Sequence, residues 1–197
     1  MAMNPDNVTY KFYHKQSSER VFVVLHGSGT EGVESPFIAN VIESLTKTGQ
    51  SVFGFNFPYC ERGDDSSSGP DLTEEVEALR SVVEQLQSSG YKITFVAKSL
   101  GGIVASFYLK QYPSNEIELI VLGYVVGEVK TQDVRNNLKA VIQGENDRFG
   151  NADAVKAELG DTESEVIEIE SADHSYRNNQ KEPVYQDTAI QELLKLI

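Results

Sequence analysis

Ser99 stands where a strand-like run meets a helical one. Residues 91–96 (Tyr-Lys-Ile-Thr-Phe-Val) are rich in β-branched and aromatic types, which suits a buried strand, while Leu100, Ile103, Val104, Phe107 and Tyr108 recur at helical spacing until Pro113. Ala97 and Gly101 flank the serine two residues away on either side. A tight strand-to-helix turn forces its central residue into a strained conformation, and a bulky side chain at 97 or 101 would collide across it. The pattern departs from G-x-S-x-G by the methyl group of Ala97. Such a turn lifts the hydroxyl above the sheet, where the Leu100 N–H, unpaired in the first helical turn, can donate to a developing oxyanion. The implied chemistry is attack on a carbonyl. A hydroxyl needs a base for that, and the base needs a carboxylate to orient it.

Both partners follow late strand-like runs. After Leu138-Lys139-Ala140-Val141-Ile142 comes the polar, glycine-bounded stretch 143–150, which carries Asp147. After Glu165-Val166-Ile167-Glu168-Ile169 comes Ser171-Ala172-Asp173-His174-Ser175-Tyr176. Of the three histidines, His14 lies in the N-terminal strand-like segment and His26 in a His-Gly turn, so His174 is the base by position. The acid is less sharply defined in a chain with 30 Asp and Glu residues. Asp147 leads, with Glu145 two residues away and Glu128, after the run 119–123, as alternatives. Asn146-Asp147 before Gly150 also reads as plain turn chemistry, and Asp173 as a solvated loop residue.

The order serine, acid, histidine is that of α/β-hydrolases, and the chain resembles a small member of that superfamily of the dienelactone-hydrolase-like kind, without a cap. The likeness spans nearly the whole length. Val23-Val24-Leu25-His26-Gly27-Ser28-Gly29 is similar to the family's strand and HG oxyanion loop, and Asn56-Phe57-Pro58-Tyr59 to the segment after its next strand. The resemblance implies a triad of Ser99, Asp147 and His174. It implies an oxyanion hole built from the backbone N–H groups of Ser28 and Leu100, with Gly29 as substitute donor, and a structural role for His26. It also implies a shallow groove to which Phe57, Tyr59, Tyr124, Val125 and Tyr176 contribute walls, unless these are ordinary packing residues.

Composition narrows the class. A chain of 197 residues suffices for one α/β domain, here 1–197, that buries roughly 70% of its unfolded surface. No apolar run approaches membrane-spanning length, and the N-terminus has neither a basic start nor an apolar stretch, so the expectation is a cytoplasmic protein with no membrane partner. The one cysteine, Cys60, excludes an internal disulfide and reads as a half-exposed loop thiol. A net charge of −13 without Lys/Arg clusters opposes nucleic acid and is compatible with neutral esters. The histidines lack metal-ligand spacing, so no metal and no cofactor are expected.

The scaffold must bring the distant residues to one edge. Strand-like segments at about 21–25, 51–55, 92–96, 118–123, 138–142 and 165–169 alternate with helical patterns, which predicts an α/β fold. Its mostly parallel sheet of six to seven strands has helices on both faces, and segment 8–13 adds an antiparallel edge. Ser35-Pro36 marks a helix start with the stripe Phe37, Ile38, Val41, Ile42 and Leu45 until Gly49. Asp71 and Glu74 form a capping-box-like pair before Leu72, Val76, Leu79, Val83 and Leu86. A last helix runs from about Pro183 with Tyr185, Ala189, Leu193 and Ile197 facing in. The Gly- and Ser-rich loop 60–70 is either a lid beside the site or a plain connection.

Gly27-Ser28-Gly29-Thr30-Glu31-Gly32 matches G-x-G-x-x-G, but the helix signal comes only at Ser35-Pro36 and strand 51–55 ends in Asn56 rather than an acid, against a dinucleotide site. Lys98 beside Ser99 reads as a solvated lysine, with an anchor for a substrate carboxylate or a bias on the local field as the alternatives. The expectation is a carboxylesterase-like serine hydrolase acting on an ester-like or related acyl bond of a small molecule. The alternative is a catalytically silent hydrolase-like binding scaffold. Substrate identity, acyl length, transfer to acceptors other than water and oligomeric state are open.

Overall fold

The structure is a computed structural model that describes residues 9–64 and 66–197. The strands are β1 (Tyr10–Tyr13), β2 (Arg20–Leu25), β3 (Ser51–Phe55), β4 (Lys92–Lys98), β5 (Glu118–Leu122), β6 (Leu138–Gly144) and β7 (Glu165–Ile169). The helices are α1 (Pro36–Thr46), α2 (Pro58–Glu61), α3 (Thr73–Ser88), α4 (Leu100–Gln111), α5 (Thr131–Val134), α6 (Ala152–Leu159) and α7 (Gln186–Lys195). The sheet runs β1-β3-β2-β4-β5-β6-β7, with β1 antiparallel to β3 and all other pairs parallel. This is the expected α/β-hydrolase architecture. Between β5 and β6 the helical content is the four residues of α5, with no cap domain.

Because a parallel sheet is covered on both faces, its strands read as near-continuous apolar runs. Alternate residues serve the two layers. Val24, Val96, Ile120 and Ile142 pack under α1 and α7, while Phe95, Ala97, Val121 and Val141 pack under α3 and α4. From β2 the chain moves outward to β3 and then returns to the other side through β4, β5, β6 and β7. The strand order therefore reverses between β2 and β4, and a crevice opens there at the carboxyl ends of the strands. Gly27-Ser28 leaves β2 and Ser99 leaves β4 on the two sides of it.

Several local expectations are corrected. Val8 lies outside the described residues, and β1 begins at Tyr10. Ser35 is the N-cap of α1 with Pro36 at its start, as expected, and its carbonyl accepts the first helical bond from Ala39 N–H at 2.9 Å. The Asp71–Glu74 capping box does not form, because Leu72 at the N-cap is left-handed with φ 49°. Ser68 substitutes for it. Its Oγ accepts from Glu74 N–H at 3.3 Å and donates to Glu75 Oε2 at 2.5 Å. Helix α7 starts at Gln186 rather than near Pro183. Ala189, Ile190 and Leu193 form its buried stripe, Tyr185 is half-buried and Ile197 is exposed.

Candidate active site

The turn at Ser99 has the strain that its neighbours' small size predicts. Ser99 sits at φ 49° and ψ −109°, a conformation costly for a residue with a side chain. Its N–H donates to Leu122 O at 3.1 Å, and its carbonyl accepts from Gly102 and Ile103 in the first turn of α4. At Gly101 a Cβ would stand 2.6 Å from Leu25 O, so the helix can approach β2 only without a side chain there.

Three residues far apart in sequence form one hydrogen-bonded chain. Ser99 Oγ lies 2.8 Å from His174 Nε2, and His174 Nδ1 lies 2.6 Å from Asp147 Oδ2. With the ring N–H at Nδ1 facing the carboxylate, Nε2 presents its lone pair to the hydroxyl, the arrangement needed to accept its proton. Burial holds the His174 imidazole below its ordinary value, with Lys98 and Arg148 acting in the same direction and Asp147 opposing. Phe149 packs edge-on against the ring at 4.7 Å between centroids.

Asp147 is held by its own loop. Its Oδ1 accepts from Phe149 N–H at 2.8 Å, and Oδ2 also accepts from the Gln143 side-chain amide at 2.9 Å. Gln143, with none of its surface exposed, further donates to Gly150 O at 2.5 Å and accepts from Tyr124 N–H at 2.7 Å. The sequence did not single out Gln143. The other acids stand elsewhere. Glu145 accepts from Ser171 N–H at 2.7 Å, and Glu128 is exposed.

The turn bearing His174 is anchored by Asp173, which is not a freely solvated side chain. Its Oδ1 accepts from the N–H groups of Ser175 at 2.9 Å and Arg177 at 3.0 Å, and Oδ2 pairs with Lys181 at 3.1 Å and Arg177 at 3.2 Å. Although burial opposes its charge, these donors hold the carboxyl at about 2.

His26 is structural. Its Nε2 accepts from Phe57 N–H at 2.9 Å while Nδ1 donates to Gly27 O at 2.7 Å, and burial lowers its proton affinity. Gly27 O also accepts from Tyr59 Oη at 3.0 Å. Since the C=O and N–H of a trans peptide point in opposite directions, two donors holding the Gly27 carbonyl turn the Ser28 N–H the other way. Ser28 lines the groove with Ser99 and His174. His14 pairs with Tyr91 Oη at 2.5 Å, away from these residues.

The groove over Ser99 has a volume of ≈390 Å³. Pro36, Phe37, Ile38 and Pro183 supply apolar lining, and Lys98, Arg177 and Lys181 line it without a carboxylate among the lining residues. The expected walls are corrected. Phe57, Tyr59, Tyr124 and Tyr176 have no exposed surface, and Val125 is buried. They support the site from below: Phe57 packs on His26, Tyr59 fixes Gly27, Tyr124 Oη donates among Val129 O and Glu158, and Tyr176 Oη donates to Ile142 O at 2.7 Å. The described part of loop 60–70 contributes nothing to the groove lining. Arg62 ties that loop to Asp64 and Glu74, and Cys60 is buried with Sγ donating to Thr30 O at 3.0 Å. Lys98 is likewise buried rather than solvated. Gly32 belongs to the single 3-10 turn Gly32–Glu34, so the G-x-G-x-x-G match does not open a long helix. Among the described residues there is no group of three or more His, Cys, Asp or Glu suited to a metal, and no helix is long and apolar enough to cross a membrane.

Comparison with known proteins extends the architectural likeness. The sequence profile described as the alpha/beta hydrolase domain matches residues 18–197. No curated protein matches the chain. An alpha-beta serine hydrolase homologue from Coxiella burnetii superposes with a TM-score of 0.71 at 17% identity, covering 96% of this chain and 89% of that one. A serine hydrolase without lid from Xanthomonas campestris gives 0.69 at 18% identity, covering 95% and 87%. A dienelactone hydrolase from Anabaena variabilis gives 0.71 at 16% identity, covering 96% and 90%.

Proposed function

The chain belongs to the alpha/beta hydrolase domain family, and we propose that it is a carboxylesterase-like serine hydrolase, a single domain over 1–197, acting on an ester-like acyl bond of a small molecule. The observation that carries this reading is the continuous chain from Ser99 Oγ through His174 to Asp147, at 2.8 and 2.6 Å. Of three proteins with the same fold, one is described as a serine hydrolase, one as a serine hydrolase homologue and one as a dienelactone hydrolase, which is consistent with this reaction class.

Ser99 attacks the carbonyl carbon as His174 Nε2 takes its proton, and the carbonyl oxygen becomes an oxyanion bound by the N–H groups of Ser28 and Leu100. Asp147 keeps the imidazole in the tautomer with Nδ1–H and stabilises its charged form. His174 then gives the proton to the leaving oxygen. The C–O bond breaks and an acyl-enzyme remains on Ser99. Water repeats the attack with His174 as base, and the acid is released. The reaction so drawn uses side chains and backbone alone and calls for no cofactor. The single cysteine and the acidic charge fit a cytoplasmic protein that avoids nucleic acid.

A fluorophosphonate probe tests this reading. Labelling at Ser99 at neutral pH, lost in Ser99→Ala, is the expected result. Folded protein that takes no label, or takes it elsewhere, would instead support a silent scaffold. A series of p-nitrophenyl esters of increasing acyl length then reports how much chain the groove accepts.

A further inference from the structure

Lys98 immediately precedes Ser99, and the reaction described above leaves its ammonium unused. Its residue is 7% exposed, at the groove floor. Nζ donates to the backbone oxygen of His174 at 2.9 Å and lies 5.8 Å from the centre of the Tyr176 ring. Gly123 makes room for this contact. At φ +72° it follows β5, and a Cβ there would stand 2.8 Å from Lys98 Nζ and 3.1 Å from His174 Cε1. Two consecutive residues at the end of β4 thus hold opposite ends of one histidine, Ser99 at the ring and Lys98 at the main chain.

Packing alone does not account for an ammonium in this position, since an apolar side chain of similar length would fill it without desolvating a charge. We propose that Lys98 is a positioning residue that ties the His174 turn to the strand of the nucleophile and whose charge disfavours the imidazolium form of His174. The inference rests on the reading of Ser99, His174 and Asp147 as the reacting groups.

The electrostatic surroundings give the sign. Burial pushes Lys98 down to about 8, Asp147 and Asp173 favour its charge, and Arg177 opposes it. At His174, burial, Lys98 and Arg148 disfavour protonation, and Asp147 favours it. The Tyr176 hydroxyl is kept protonated by its burial. The groove residues of α1 and α7, Pro36 to Ile38 and Gln186, are uncharged, and Lys181 is paired with Asp173. Removing the Lys98 charge therefore raises the pH at which His174 gains its proton.

Lys98→Met removes tether and charge, Lys98→Gln keeps a donor but no charge, and Lys98→Arg keeps both. Two measurements suffice: the pH dependence of fluorophosphonate labelling, and an NMR titration of the three histidine rings. In the Met and Gln variants the His174 midpoint should rise by about one pH unit, as for loss of a nearby like charge, while Arg retains the wild-type midpoint. Labelling at pH 8 should fall about tenfold or more in Met, as expected for a displaced base, and less in Gln. Midpoints in Met and Gln equal to wild type, or an undiminished labelling rate in Met, overturn the proposal. If Met does not fold, Gln against Arg decides it. The NMR midpoints do not depend on activity. An unlabelled wild type with shifting midpoints sinks the hydrolase reading alone, whereas a labelled wild type with unmoved midpoints sinks this one.

Discussion

Gln143 and His174 bond the same oxygen of Asp147, the amide at 2.9 Å and the ring at 2.6 Å. The acid is thereby held by strand β6 as well as by the base. Gln143→Leu should strand the Tyr124 N–H and the Gly150 carbonyl as well, and destabilise the fold by roughly 2–6 kcal/mol at about 1–3 for each of these two groups. Thermal denaturation measures that loss. The labelling rate at Ser99 should fall between about tenfold and a hundredfold, as for a misplaced orienting group.

Asp147→Asn preserves shape but offers an amide that can donate to Nδ1, which would move the ring proton to Nε2 and remove the lone pair from Ser99. Labelling should drop by about three to four powers of ten, and because that amide nitrogen also faces the Gln143 donor, stability should fall by roughly 1–3 kcal/mol. A variant that labels at half the wild-type rate would reassign the acid.

Gly144→Ala tests how the base is placed. A Cβ there would stand 2.5 Å from Ala172 O and 2.6 Å from Asp173 O, both backbone atoms of the turn that carries His174. The turn must retreat. The expected result is a fall in kcat of about a hundredfold with KM changed much less, read from steady-state kinetics on whichever p-nitrophenyl ester is cleaved.

The pH dependence follows from the two depressed imidazoles. His174 works as a base when neutral, and burial holds its affinity for protons below the ordinary value near 6.5. Activity should therefore be flat at pH 7 and fall only on acidification below about 6.5. Stability has the same sign. Below that pH the unfolded chain binds protons at His26 and His174 that the folded one resists, so folding weakens as pH falls. Asp173, held at about 2, adds a loss that begins below its unfolded value of about 3.9 and is complete only below about 2. Melting temperatures that climb from pH 7.5 to 5.5 would refute the assignment.

What the sequence made legible was whatever local sterics or periodicity dictate. The Ala97-x-Ser99-x-Gly101 turn follows from crowding between a strand and a helix. The six parallel strands follow from runs of β-branched, aromatic and other apolar residues, and the edge strand β1 from its alternation. Side-chain depth at loop starts was not legible. Phe57, Tyr59, Tyr124 and Tyr176 follow strands and carry apolar bodies, so they suit a groove wall and a buried support equally, and the Tyr hydroxyls find backbone acceptors inside. The burial of Lys98 was not legible, because a lysine is rarely buried and its acceptor comes from a turn 76 residues away. Gln143 sits in a polar run that reads as loop, whereas β6 continues through Gly144 and buries it.

β7 is the outermost parallel strand, paired on one side to β6, and the turn after it carries the imidazole. Peeling this margin away would leave β2, β4 and β5 paired with one another and Ser99 still at the end of β4. Reactivity at Ser99 would then vanish under mild denaturant before the bulk circular dichroism signal does, which makes the hydroxyl a sentinel for fraying at that flank.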